Sequence, residues 1–553
     1  MEERRKQRQS CQYFKGTHGA RETPKGATLG RFGGMVLLFS IEVKEYAKAV
    51  RATGLGALLC LGAACLPAQN PNSIEMHVTE FTLGNGMHFI LMERHDAPVI
   101  SFHTYIGAGA VDDPGGQTGL ANLVSRAMLH GTESLGTRDW ESERRAMAAS
   151  EEAYGRLQAE RNKGGTADAA KVGVLETQWR MTLEAADAWS DADAYTRVIE
   201  QNGGSNVTAK TTPDATDYGY TLPSNKAELW YLLESQRLTH PVFREFYKER
   251  DLALEEHKRN VEGKAAPRVE AAMLATAFQV YPYRNPPDGW PGDVANLGLA
   301  DAQAFFAKYY VPENIVIAMV GDVYPSGATL LAQKYFGTIP ARSAPAKRYT
   351  EEPPQAGPKT AVVGASPQGL MAIGYKRPDN RNRDDLVFDV IQTVLSGRDG
   401  ILQTELVGKG IAQVASAVAT FPAGRAPNLF LFLASPAAGH TLDEVQKGLN
   451  AILAQMQTRQ LSAESLQRAK SHIRMNALRR LANNAEMAAL LPTYYAEYGD
   501  WRQLFRELDD AGKVTAEAVE NAALKYFGTA SRTTVYLVQD IRTEATGIPG
   551  GQQ

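Results

Sequence analysis

Chemistry in this chain would have to come from its histidines and carboxylates, because its three cysteines, Cys11, Cys60 and Cys65, all precede residue 66. Two histidines at i and i+4 on one helix face can share a zinc ion. The segment Gly119–Thr132 has helical character and places Asn122 and Arg126 at that spacing, with Ser125 between them. An amide, a hydroxyl and a permanent cation stand there instead of metal donors and a general base. His88, His95 and His103 fall on strand-like or loop-like segments without ligand spacing, so a satisfied or exposed imidazole is expected for each. His257 is adjacent to Glu256, and adjacent helical residues point about 100° apart, so the two are not expected to converge. His130 lies one turn beyond Arg126.

The elements that must carry these residues follow from pattern. Phe81–Met92 reads as a β-hairpin turning at Gly84-Asn85-Gly86, and Pro98–Ile106 as a further strand. A helix over 119–129 follows, with Thr118 as its expected N-cap. Residues 139–200 are charged and Ala-rich, broken at Lys163-Gly-Gly-Thr166, and read as a solvated helical-hairpin insertion. Residues 300–322 and 516–540 repeat one design: a helix ending in Lys and two aromatics, then a β-branched strand ending in Asp. Each copy closes one half of the chain, which predicts two homologous domains, over 76–340 and 359–545. The stretch 341–358, rich in Pro, Ala and charge, joins them as a linker. Hairpin strands mixed with long helices predict α+β domains, each a mainly antiparallel sheet with helices packed on one face.

Gly119-Leu-Ala-Asn-Leu-Val-Ser-Arg-Ala-Met-Leu-His-Gly-Thr132 resembles the zinc helix of the insulinase, pitrilysin and mitochondrial processing peptidase family, the inverzincin metallopeptidases. That family carries H-x-x-E-H in the same frame and usually a Lys where His130 stands, which implies a surface position for His130. The resemblance continues through Gly203–Tyr218, similar to the family's active-site edge strand but with Thr208 where an Asn is usual. It extends through Leu222–Asp251 and over roughly residues 78–542. It implies the processing-peptidase-like fold and, ordinarily, a zinc metalloendopeptidase. Asn122 and Arg126 stand at the two His ligands and Ser125 at the catalytic Glu, while Glu249 and Glu256 match the family's downstream carboxylates, Glu256 at the third ligand. No catalytic residue and no zinc are therefore expected, and an Arg126–Glu256 ion pair should replace the metal. The Arg and Tyr with which family assemblies hold substrate are Val407 and Val414 here. The resemblance implies a peptide-binding or chamber-forming subunit paired with a zinc-bearing homologue. A homodimeric scaffold and an active metallopeptidase with an atypical site are the alternatives.

Bulk properties agree with an ordinary globular chain: 553 residues, 44% apolar, net charge −3. That balance gives no basis for nucleic acid as a partner. The apolar run Leu55–Leu66, preceded by Lys44, Lys48 and Arg51 and followed by Pro67-Ala68-Gln69, reads as a secretory signal over 50–68. It is too short to span a bilayer comfortably. Residues 1–49 read as an extension ahead of the true start, and the mature chain is expected to be periplasmic or extracellular and free of cysteine.

Overall fold

The computed structural model describes residues 77–539, apart from 348 and 367. The leader, the three cysteines and the last residues of the expected second domain lie outside the described residues.

The first half is built on a six-stranded sheet. Its strands are β1 (Val78–Thr82), β2 (His88–Glu93), β3 (Val99–Ile106), β4 (Ser205–Thr211), β5 (Thr216–Pro223) and β6 (Ile315–Gly321), in the order β1-β2-β6-β3-β5-β4. The expected hairpin is β1–β2, and Gly86 supplies the left-handed residue of its turn at φ 96°. The second half is built on β7 (Lys359–Ser366), β8 (Leu370–Arg377), β9 (Ala412–Phe421), β10 (Asn428–Pro436) and β11 (Arg532–Gln539), in the order β7-β11-β8-β10-β9. Without β1, the two orders superpose strand for strand. In both, the first pair is parallel (β2–β6, β7–β11) and the rest are antiparallel. The repeat read from the sequence is thus a repeat of topology.

The helices follow the same plan. The first half has α1 (Leu120–Ala127), the hairpin α2 (Trp140–Arg161) and α3 (Ala169–Asp187), α4 (Ala194–Gln201), α5 (Ala227–Thr239), α6 (Phe246–His257), α7 (Ala265–Ala277), α8 (Leu299–Tyr309) and α9 (Pro325–Phe336). The second half has α10 (Asp385–Leu395), α11 (Leu442–Thr458), α12 (Ala463–Ala482), α13 (Asn484–Tyr498), α14 (Gln503–Ala511) and α15 (Ala516–Tyr526). One face of each sheet is covered by its own helices. Phe89, Phe102 and Leu222 meet Leu123, Trp230 and Phe305 in the first half, while Phe430 and Phe432 meet Phe388, Ile391 and Phe527 in the second.

The opposite faces are covered by exchange. Helix α13, from the second half, lays Met487 and Leu491 against Ile90, Tyr105 and Val320 of the first sheet. Helix α7, from the first half, lays Val269 and Met273 against Ala372, Leu429 and Val535 of the second. Each fully buried side chain of this kind contributes roughly 1.5–3 kcal/mol, so the halves are held by core packing. The linker is pinned as well. Glu352 accepts the backbone N–H groups of Gln279 (2.8 Å) and Tyr281 (3.1 Å) just beyond α7, and the Tyr349 hydroxyl donates to Asp112 (2.7 Å).

The hairpin α2–α3 corrects the expectation of a solvated insertion. Trp179, 2% exposed, packs with Tyr154 against Tyr247 of α6, and the Glu143–Arg244 ion pair joins α2 to the start of α6 in full burial. A few large side chains on otherwise polar helices do the anchoring, and such sparse contacts leave little periodic signal.

Candidate ionic site at the edge of the first sheet

Helix α1 begins after Gly119, which adopts φ 88° and approaches its neighbours so closely that a Cβ there would lie 2.7 Å from the Asp288 carbonyl oxygen. Thr118 is not the cap. Its hydroxyl donates to Asp293 (2.7 Å) and accepts the Trp290 N–H (2.9 Å). Asp113 caps instead, accepting the N–H groups of Gly119 and Ala121, both at 2.8 Å. A carboxylate on two orphan N–H groups at a helix start satisfies hydrogen bonding and the helix dipole together.

Helix α1 lies against α6 and the edge strand β4, where the Thr211 hydroxyl donates to the Ala121 carbonyl at 3.3 Å. On its α6 face, Arg126 Nε donates to Glu249 Oε2 at 2.7 Å and Nη1 donates to Glu256 Oε2 at 2.8 Å. The expected contact between Arg126 and Glu256 is therefore present, and Glu249 completes a clamp around the guanidinium. The Glu249 side chain is 5% exposed, against 25% for Arg126 and 33% for Glu256, so one charge is deeply buried and the others meet solvent. Ser125 is buried and points away from this locus, its hydroxyl donating to the Asn122 carbonyl of its own helix (2.7 Å). Asn122 stands one turn before Arg126, half-buried.

His130 was expected at the surface and is buried. Its Nε2 donates to Glu249 Oε1 at 2.9 Å, and its Nδ1 lies 3.4 Å from the Ala192 carbonyl oxygen. Its position at i+4 from Arg126 was a usable signal, but the partner it serves lies 119 residues away. Burial by itself would raise the Glu249 carboxyl; the His130 hydrogen bond and the Arg126 charge outweigh it and bring it down to about 2. Burial likewise opposes the Arg126 charge, and its hydrogen bond to Glu256 with the charge of Glu249 more than offsets it.

Four other histidines have partners within the fold. His88 stacks on Tyr495 with ring centroids 3.9 Å apart, His95 pairs with Asp322 (2.8 Å), and His103 pairs with Asp217 (2.9 Å). His257 turns to Asp288 (3.2 Å), away from Glu256's partner. In the second half, Val407 is half-buried against the core while Val414 is 54% exposed on the outer strand β9.

Residues 296–473 match the family profile described as the peptidase M16 inactive domain. A Helicobacter pylori protein named zinc protease PqqE is 26% identical over 361 residues, which span 63% of this chain and 79% of that protein. Residues 296–473 thus match an M16 inactive domain, and the chain is similar to M16 peptidases beyond it. The crystal structure of a Helicobacter pylori protease shares the fold at a TM-score of 0.70 and 21% identity, covering 83% of this chain and 99% of that one. An M16 inactive domain from Pseudomonas fluorescens does so at 0.65 and 18% identity, covering 84% and 98%. The donor set at this locus does not fit the zinc that the sequence resemblance would ordinarily imply. A guanidinium occupies the space between Glu249 and Glu256. Among the described residues no group of three or more His, Cys, Asp or Glu side chains gathers closely enough to hold a metal ion. Nor does any described helix have the length and apolarity to cross a membrane.

Proposed function

We propose that this chain is an exported, non-catalytic M16 subunit that binds extended peptide and completes a peptidase chamber with a zinc-bearing homologue. The observation that carries the reading is the Arg126 clamp. A permanent cation bonded to both Glu249 and Glu256 occupies the place a divalent metal would take, and Ser125 beside it brings no carboxylate to activate water. What remains useful is the surface beside it. Strand β4 ends the first sheet, so its outer N–H and C=O groups are free to pair with an extended peptide. Export rests on the signal-like run Leu55–Leu66.

The deciding experiment is metal analysis and a peptidase assay on the purified chain, followed by mass spectrometry of what co-purifies with it from its native source. The expected result is zinc far below one equivalent, no chelator-sensitive cleavage, and a co-purifying homologue with an intact H-x-x-E-H. Stoichiometric zinc with chelator-sensitive cleavage overturns the reading. A self-association without such a homologue overturns its partner half. The combined substitution Asn122→His, Ser125→Glu and Arg126→His rebuilds the family donors beside Glu256 and is expected to bring zinc binding back.

A further inference from the structure

The hairpin α2–α3 has no role in that reading, yet it closes a half-open cavity of about 30 Å³ against the start of α6. Most of the wall is apolar: Met147 and Leu183 come from the hairpin, and Phe243 and Phe246 face them. Among the described residues, the Ser150 and Ser190 hydroxyls that line it have no hydrogen-bond partner, and Ser150 is 2% exposed. The Asp187 carboxylate also lines it and accepts no hydrogen bond there. The neighbouring carboxylates are already engaged. Glu143 holds Arg244 (2.6 Å), Glu151 accepts the Tyr247 hydroxyl (3.1 Å), and Glu245 holds Lys248 (2.8 Å).

This wall does not collapse onto the cavity. Phe243 and Glu245 both sit at φ 54°, in the left-handed region that residues with a side chain rarely adopt. Arg244 between them fixes the segment, donating to Glu143 and to the carbonyls of His130 and Leu135. Strain is thus maintained beside a void lined by unused acceptors. A buried hydroxyl without a partner is unfavourable, and a suitable ligand would relieve it.

The geometry points to a primary-alkylammonium site between α2–α3 and the start of α6, with Asp187 as counter-ion and Ser150 and Ser190 as further acceptors. An ammonium has three donors, and the Asp187 carboxylate with the two hydroxyl oxygens offers three acceptors for them. The volume holds about two water-sized groups, here the ammonium and the carbon beside it. The alkyl stem leaves along Met147, Leu183 and Phe246. A planar guanidinium with five N–H groups is too broad for it. A bare metal ion is not served, since no three carboxylate or imidazole groups converge among the described residues. The ammonium belongs to a lysine side chain or to a free diamine, and neither depends on the metal locus.

The test uses the full chain, with thermal melts and calorimetry against 1,5-diaminopentane. A lysine-containing peptide and its norleucine counterpart form the second arm. Either amine is expected to raise the melting temperature, the norleucine peptide not. Equal response to diamine and lysine peptide assigns a free amine; response to the peptide alone assigns a polypeptide source. Asp187→Asn is expected to weaken binding at least about tenfold and Ser150→Ala by several-fold. Burial, with the Glu245 charge beside it and Lys248 opposing, raises the Asp187 carboxyl to about 6; Glu143 and Glu184 face it too. Binding should therefore strengthen about tenfold between roughly pH 5 and pH 7.5, where the ligand stays protonated. Because burial opposes the Asp187 charge, Asp187→Asn should fold; should it not, Ser150→Ala carries the same readout. No response to either amine, an undiminished response in the variants, or equal binding of the norleucine peptide overturns the proposal.

Discussion

The two halves share a strand order but differ where their matching helices meet. In the first half, α1 and α6 are joined by a clamp of four ionisable side chains, His130, Glu249, Arg126 and Glu256. In the second, the matching helices α10 and α12 meet through apolar residues, with Phe388 and Ile391 on one and Ala469 and Ile473 on the other. An apolar seam costs nothing to desolvate, whereas the buried Glu249 is tolerable only while its partners remain. The first half therefore joins its matching helices through charge, and the second joins the same pair of helices through apolar contact.

Helix exchange limits how independently the halves can be compared. Leu491 lies in the second half but is fully buried against the first sheet. Leu491→Ala is expected to cost about 2–5 kcal/mol. Urea denaturation should then show one lowered transition for the whole molecule. Loss of only a second-half transition, with the first unaffected, would mean the halves fold as separate bodies.

Within the first half the largest effect belongs to Arg126→Ala. It strips the buried Glu249 of its guanidinium and leaves Glu256 unopposed, for an expected loss of about 3 kcal/mol in chemical denaturation. The clamp also predicts acid sensitivity. Glu249 is depressed to about 2 in the fold from an ordinary value of 4.5. Its contribution is thus fully present above 4.5 and is lost as pH falls from there towards 2, on the order of 3 kcal/mol in total. Arg126→Ala should flatten that part of the stability–pH curve, and an unchanged acid limb would remove the clamp as its source.

Much of this was legible in the sequence because it is local or repeated. The α1 frame, the hairpin at Gly86 and the duplicated helix–strand endings each lie within a short window. What was missed depends on distant partners. The burial of His130 follows from Glu249, and the cap on α1 comes from Asp113 because Gly119 turns the chain back over it. The exchange of α7 and α13 was not legible either. A helix's apolar residues show that it must pack, not which of two equivalent sheets it will pack against.

The smallest predicted effects compare the two seams directly. Ile391 is fully buried between α10 and its sheet, so Ile391→Val removes one methylene and should cost about 1 kcal/mol. Glu256 is the exposed arm of the clamp, and Glu256→Gln keeps its shape while removing its charge, so its expected cost is likewise about 1 kcal/mol or less. The two differ in what they respond to. Raising salt should shrink the Glu256→Gln effect by screening the ion pair it disrupts, and leave the Ile391→Val effect unchanged. Equal salt dependence in the two variants would mean that Arg126 draws its stability from Glu249 alone, and that Glu256 contributes only as a surface carboxylate.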